Sequence, residues 1–382
     1  MKTSLRILRL LGFFAISLAI FFLAPLTGQD ILHPWIYRIR IFGLIGLAII
    51  HAIGFMWLDS QMRSLMGQWA IRILGYTWVI LLLLEANFMV FDQSFGNGKV
   101  LSEKLWFDKH WGELNEQGYR DQAITTGDVE GKQKVFIVGD SFVAGHGIRK
   151  VEDRFSNRLA ELLTQRIRVY NLGKGGANTQ AEFKNLQNYP IEPDVLILSY
   201  FGNDIQDLLP PPKERLVLPD ENLGKFTQLM YDHSFLFNFC FWKLYAPSKL
   251  MPLFFDRTDT NPIFGYLDDG ILQTHFDELE QFVCYAEERE IPLIVCLFPY
   301  LSPMGMGLSA KIVCEPIERF FQDKGVEVIN LYPVLRHLPA QNRMVNSMDS
   351  HPNERVNAIV ADTLRTVLLK HLVDRVDNQY TP

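Results

Sequence analysis

The chain has 382 residues, with 37 Lys and Arg against 43 Asp and Glu, and a formal net charge of −6 at pH 7. With no basic excess, the composition argues against a nucleic-acid partner. Its four cysteines, Cys240, Cys284, Cys296 and Cys314, form no paired C-x-x-C spacing for zinc. Cys296 inside PLIVCLF and Cys284 on the apolar stripe of a helix read as buried, reduced thiols, although an external location would permit disulfides.

Polarity is unevenly spread along the chain. Three apolar stretches, Leu10–Leu26, Ile41–Leu58 and Ile73–Phe91, each have about the 17–25 residues that cross a bilayer core as helix. The first follows Lys2, Arg6 and Arg9 and has the look of a signal peptide. Its apolar run is long for one, and two further stretches follow, so an uncleaved anchor is expected. The basic residues favour a cytoplasmic amino terminus, and three spans then put everything after Phe91 outside. His51 and Glu85 fall within the second and third stretches, where ionisable groups are functional candidates by default. The plainer reading is a His bonded to a neighbouring helix and a Glu reaching the interface.

Residues 1–91 are thus read as a membrane anchor and 92–133 as a polar connector. From Lys134 onward, short β-branched runs alternate with helical periodicity, which marks a parallel sheet with crossover helices. Strands are predicted at Val135–Val138, Arg168–Asn171, Val195–Tyr200, Leu293–Phe298 and Val326–Asn330. Helices are predicted near Arg154–Leu163, Gln180–Gln187, Ile271–Arg289 and Ala310–Gln322, with a last one from Glu354 to about Leu372. Within this 134–382 domain, an insertion rich in Phe, Leu, Met and Tyr spans about 208–270. It reads either as a lid or membrane-dipping surface near the active site, or as a helical pair packed on the core or the transmembrane helices.

Four segments carry chemistry. VFIVGDSFVAGHG presents Ser141 at the carboxyl end of a buried strand, where a hydroxyl can stand clear of the sheet. NLGKGGANTQ contains Gly176, SYFGND contains Asn203, and MDSHPN contains Asp349 and His351. Acyl chemistry at an ester needs an activated oxygen nucleophile, a base that later returns the proton, and donors for the oxyanion. Ser141 fits the first role, His351 the second, and Asp349 the acid that holds the imidazole tautomer. A phosphate-loop reading of G-K-G-G fails because GxxxxGK[ST] is absent, and no H-E-x-x-H or equivalent metal set occurs, so a mechanism without metal or other cofactor is expected. His146, close to Ser141, reads as a turn residue or a pocket wall.

In kind and order these segments resemble the four blocks of the SGNH (GDSL-type) esterase and acyltransferase family. The resemblance runs from about Val135 to Leu369. It implies a flavodoxin-like, three-layer α/β domain with a five-stranded parallel sheet, here preceded by three transmembrane helices. It also implies an oxyanion hole made by the N–H groups of Ser141 and Gly176 and the amide of Asn203. NEQGYRDQ, Asn115–Gln122, resembles a segment that precedes the serine block in membrane-attached members, and so looks like an ordered entry strap. Two departures stand out. Phe201 and Gly202 precede Asn203 where the family often has G-x, and Met348 stands three residues before the histidine where the acid is usual, which leaves Asp349 at two before.

The implied activity is a serine esterase that removes O-acyl, for instance acetyl, groups from cell-envelope glycans or lipids through an acyl-serine. An O-acyltransferase would use the same residues, and a catalytically silent envelope glycan-binding or assembly protein is a third reading. The expected setting is a bacterial inner (plasma) membrane, with the domain on the extracytoplasmic side, an acylated glycan or lipid as substrate and no nucleic-acid partner. The sequence does not fix the oligomeric state.

Overall fold

The computed structural model describes residues 34–61, 64–95, 98–125, 131–210, 219–246 and 261–378, together with Gly12 and Ala15. The chain forms two units, one of Met1–Gln93, Asn97–Lys109 and Val217–Pro252, the other of Ser94–Gly96, His110–Leu216 and Leu253–Pro382.

The first unit is helical. The expected spans at Ile41–Leu58 and Ile73–Phe91 correspond to helices Pro34–Gln61 and Leu65–Val90, and both are long and apolar enough to cross a membrane. The span expected at Leu10–Leu26 lies, apart from Gly12 and Ala15, outside the described residues. Among the described residues there are therefore two such helices, not three. Leu44, Leu47 and Ala48 of the first helix and Leu82, Ala86 and Met89 of the second belong to one apolar cluster, which Leu101, Leu105 and Phe235 complete.

Leu101 and Leu105 belong to a helix, Leu101–His110, in the stretch read as a connector. Phe235 opens the second of two consecutive short helices in the insertion, Lys225–His233 and Phe235–Cys240. Lys225–His233 and Phe235–Cys240 are thus a helical pair packed with the long helices through Phe235, while Tyr266, on the insertion's helix Pro262–Leu267, packs in the core of the second unit.

Glu85, read as a residue reaching the interface, has partners within its own unit. It is buried and accepts from Ser234 Oγ at 2.8 Å, from the N–H of Phe235 at 2.9 Å and from that of Leu236 at 3.0 Å, with Arg40 Nη2 3.7 Å away. The reason is physical: the first N–H groups of a helix have no partner of their own, and a carboxylate satisfies them and suits the dipole. His51 donates to the carbonyl of Leu47 in its own helix at 2.7 Å.

The second unit is the predicted α/β domain. Its strands are β1 (Gln133–Gly139), β2 (Ile167–Gly173), β3 (Val195–Phe201), β4 (Leu293–Phe298) and β5 (Glu327–Asn330), all parallel in the order β2-β1-β3-β4-β5. Side chains alternate between the two faces. Val135 and Ile137 of β1 join Ile197, Cys296 and Ile329 in a core with Phe155, Leu159, Val356, Val360 and Leu364. Phe136 and Val138 join Leu196, Leu198, Val295 and Leu297 in another, with Leu186, Leu279, Phe282, Ile317 and Phe321. Burial on both faces is why these strands read as continuous apolar runs.

The predicted helices appear as Phe155–Leu162, Thr179–Gln187, Asp269–Glu288, Glu315–Asp323 and Glu354–Asn378. Ala310–Cys314 forms a π turn ahead of the fourth. One cysteine departs from expectation: Cys284 is exposed, while Cys296 and Cys314 are buried and all four are free thiols. On Asp269–Glu288 the inward residues are His275, Leu279, Phe282, Val283, Tyr285 and Ala286, so Cys284 points away from the stripe that the sequence assigned to it.

Candidate active site

In a parallel sheet the point where the strand order reverses leaves a crevice at the carboxyl ends of the strands. Here the reversal lies between β1, whose chain continues to β2 on one side, and β3 on the other. Ser141 follows β1 directly and Asn203 follows β3, so the two stand on opposite banks of that crevice.

Ser141 begins a single helical turn, Ser141–Ala144, which Asp140 caps by accepting from Phe142 N–H at 2.8 Å. Two glycines make the turn possible. Gly145 ends it in the left-handed region at φ 75°, and at Gly173 on β2 a Cβ would lie 2.2 Å from the nitrogen of Ala144, so the turn rests directly on bare backbone. The strap expected from NEQGYRDQ locks the loop beyond. Arg120, 2% exposed, donates to the carbonyls of Gly145 at 2.8 Å, Ile148 at 3.0 Å, Trp111 at 2.8 Å and His110 at 2.6 Å. Asp121 accepts from Asn171 N–H at 3.0 Å on β2.

His351 arrives on the loop before the last helix. That loop is tied down by Asn346, whose Oδ1 accepts from Met348 N–H at 2.8 Å and Asp349 N–H at 3.0 Å, and whose Nδ2 donates to the carbonyl of Ser94 at 2.8 Å. Asn353 accepts from Val356 N–H at 3.1 Å and so caps the helix while holding His351 two residues upstream. Ser141 Oγ and His351 Nε2 are 2.8 Å apart, and His351 Nδ1 and Asp349 Oδ1 are 2.5 Å apart. Asp349 also accepts from His351 N–H at 3.0 Å and from the hydroxyl of Ser94. Met348, three residues before the histidine, contributes its backbone N–H to Asn346.

The protonation pattern follows from the donors. Burial pushes the Asp349 carboxyl up, but the hydrogen bond and charge of His351, the charge of His146 and the Ser94 hydroxyl outweigh it and hold it at about 2. An ionised Asp349 only accepts, so Nδ1 of His351 carries the proton, Nε2 is the acceptor, and the Ser141 hydroxyl donates to it. Asp140 Oδ2 is a second acceptor for the same hydroxyl at 3.2 Å.

Asn203 donates through Nδ2 to Asp140 Oδ2 at 3.4 Å; an amide nitrogen has two hydrogens, and one is left for another acceptor. Phe201 stacks on Phe142 with ring centroids 4.2 Å apart, and Phe142 meets His351 edge-on at 5.4 Å. Gly176 is exposed, at φ 73°, on the loop after β2. It shares the sheet edge with Ser141 and Asn203 rather than a hydrogen bond with them.

Beneath the site lie buried carboxyls. Burial raises Asp140, and it raises Glu182 and Asp204 well above the ordinary carboxylate range, helped by their mutual charges. His146, Asp349 and His351 bring potential metal donors within 4.8 Å of one another. Two ligands of one tetrahedral ion, each about 2.0–2.1 Å from it, stand about 3.3 Å apart. The 2.5 Å between His351 Nδ1 and Asp349 Oδ1 is instead a charge-assisted hydrogen bond.

Reasoning from sequence passed over Ser94 and left His146 as a turn residue or a pocket wall. His146 stacks on His351, centroids 4.3 Å apart. The G-H-G spacing beside the serine block was the available signal for it; Ser94 offered none.

No protein-family model matches the chain, and no curated protein matches it. Solved structures similar to it include a member of the lipolytic protein G-D-S-L family from Veillonella parvula, 14% identical over 62% of this chain and 97% of that one, TM-score 0.36. A carbohydrate acetylesterase family member from Sinorhizobium meliloti is 12% identical over 63% of this chain and 99% of that one, TM-score 0.38. The lipase/acylhydrolase from Enterococcus faecalis is 13% identical over 61% and 96%, TM-score 0.35. Likenesses at this level carry no functional weight, and the geometry of Ser141, His351 and Asp349 stands on its own.

Proposed function

We propose that the chain is a serine ester hydrolase of the SGNH type that works through an acyl-serine. The observation that carries the reading is the continuous chain from Ser141 Oγ through His351 to a buried, ionised Asp349. Ser141 attacks the ester carbonyl while His351 Nε2 takes the hydroxyl proton, and Asp349 stabilises the imidazolium that forms. The carbonyl oxygen becomes an oxyanion, met by the N–H of Ser141, the N–H of Gly176 and the free hydrogen of Asn203 Nδ2. The C–O bond to the alcohol breaks, His351 protonates the departing oxygen, and water repeats the sequence to release the acid.

The substrate class is an O-acyl ester of an envelope glycan or lipid, acted on outside a membrane that holds the chain by its long helices. Two such helices support membrane attachment, and an enzyme so tethered shares a surface with envelope substrates. Turnover of p-nitrophenyl acetate by the full chain in detergent tests the chemistry. Hydrolysis is expected, and its loss in Ser141→Ala with an unchanged melting profile; equal turnover in the variant would overturn the reading. A sugar acceptor added to the same assay separates hydrolysis from acyl transfer. For topology, alkaline phosphatase fused after Tyr380 is expected to be active and a cytoplasm-dependent fluorescent protein dark. The reverse pattern would place the site inside.

A further inference from the structure

We propose that His146 is a positioning residue of this site, a second imidazole that shares Asp349 with His351 and makes activation of Ser141 depend on two protons instead of one. The proposal rests on the serine-nucleophile reading above.

The backbone fixes His146 relative to the nucleophile. Its N–H donates to the carbonyl of Ser141 at 3.0 Å, and Gly145 and Gly147 on either side are both left-handed, at φ 75° and 81°. The ring lies face to face with that of His351, centroids 4.3 Å apart and planes at 23°, with Trp111 edge-on at 6.2 Å. Nε2 is 3.8 Å from Asp349 Oδ2, the oxygen that Ser94 also approaches, while Oδ1 serves His351. With its side chain only 11% exposed, solvent screens these interactions poorly.

The charged neighbours come from several elements. Asp349 and His351 belong to the closing loop. Asp140, at the end of β1, acts on the charge of His351. From the strap, the Arg120 guanidinium holds the carbonyls of Gly145 and Ile148, and Arg154 packs on Gly145.

Acyl transfer requires the His351 ring to become cationic while resting on the charge of Asp349. A proton already on His146 draws that charge toward Oδ2 and sets a cation against the face of the ring that must accept one. The reactive form therefore has both rings neutral, and a coupled pair of this kind loses activity over two protonations.

The test is the rate at which a fluorophosphonate labels the full chain in detergent, from about pH 4 to 9. In that reaction the Ser141 O–H bond breaks, its proton passes to His351 Nε2, oxygen bonds to phosphorus and fluoride leaves. The logarithm of the wild-type rate is expected to fall on the acidic side with a slope approaching two. His146→Gln and His146→Phe should fall with a slope of one and exceed wild type by about tenfold for each pH unit below the limb. A slope of one in wild type, or the wild-type slope in both variants, overturns the proposal. So does loss of labelling at every pH in both variants with melting profiles intact, since the ring would then be essential and not a titrating modulator. If one variant misfolds, the other carries the comparison, because Phe keeps an aromatic ring on His351 and Gln keeps a polar one. Labelling that persists in Ser141→Ala instead defeats the nucleophile assignment and leaves the two failures distinct.

Discussion

Glu85 in the helical unit and Asp349 in the α/β unit are each 1% exposed; Glu85 collects two backbone N–H groups and a serine hydroxyl, Asp349 one N–H and a serine hydroxyl. They differ in their basic partners. Glu85 stands beside Arg40, a guanidinium that keeps its proton at any working pH. Asp349 stands beside His351 and His146, imidazoles that can take up and release a proton. The same way of burying a carboxylate thus yields a permanent clamp in one unit and a responsive one in the other. Only the second can take part in moving a proton.

The largest expected effect exploits the responsive side. Asp349→Asn should lower kcat for p-nitrophenyl acetate by up to ~10⁴-fold, because an amide can favour the wrong imidazole tautomer. Since Asp349 itself is held at about 2, it stays ionised through the working range, and any acidic limb above about pH 4 belongs to other groups. A variant within tenfold of wild type would reduce Asp349 to a loop cap.

Next in size is the clamp. Glu85→Ala leaves Arg40 and the N–H groups of Phe235 and Leu236 without their carboxylate, and breaking a buried pair of this kind costs about 3–5 kcal/mol. The thermal midpoint in detergent should fall clearly, while kcat per folded molecule stays within about twofold. A kcat that fell as far as in Asp349→Asn would erase the distinction between the two carboxylates.

The smallest effect concerns a buried carboxyl with neither kind of partner. Both oxygens of Glu182 lack a hydrogen-bond partner among the described residues, and burial with the charges of Asp204 and Asp140 raises its titration. A raised acid holds its proton in the folded state where the unfolded chain, titrating near ~4.3, has lost it. Its contribution to stability is therefore present at low pH and lost as pH rises toward the folded value. Glu182→Gln cannot ionise, so its thermal midpoint should gain on wild type from pH 5 to pH 8. Parallel curves would show that Glu182 is already compensated.

The parts of this picture legible in the sequence are those with local patterns. The five strands declared themselves as β-branched runs because both faces of the sheet are buried, and Ser141, Asn203 and His351 sat at strand ends or helix entries that punctuation residues mark. What escaped is long-range. Ser94 reaches Asp349 across 255 residues, from a stretch with no period of its own. Helix Leu101–His110 is polar in composition and reads as a connector, yet it is half buried through Leu101, Leu105 and Trp106. The role of Glu85 depends on Ser234 and the helix it begins, which no local pattern near Glu85 foretells. Cys284 was misassigned because a stripe three and four residues wide leaves its neighbours one position from exposure.

The central claim is that Ser141 is an activated nucleophile. Labelling the full chain with a fluorophosphonate and locating the adduct by peptide mass spectrometry tests it before any natural substrate is known. The account predicts one adduct, on Ser141, absent from Ser141→Ala and strongly slowed in Asp349→Asn. An unlabelled wild-type chain, or an adduct on another residue, would contradict it.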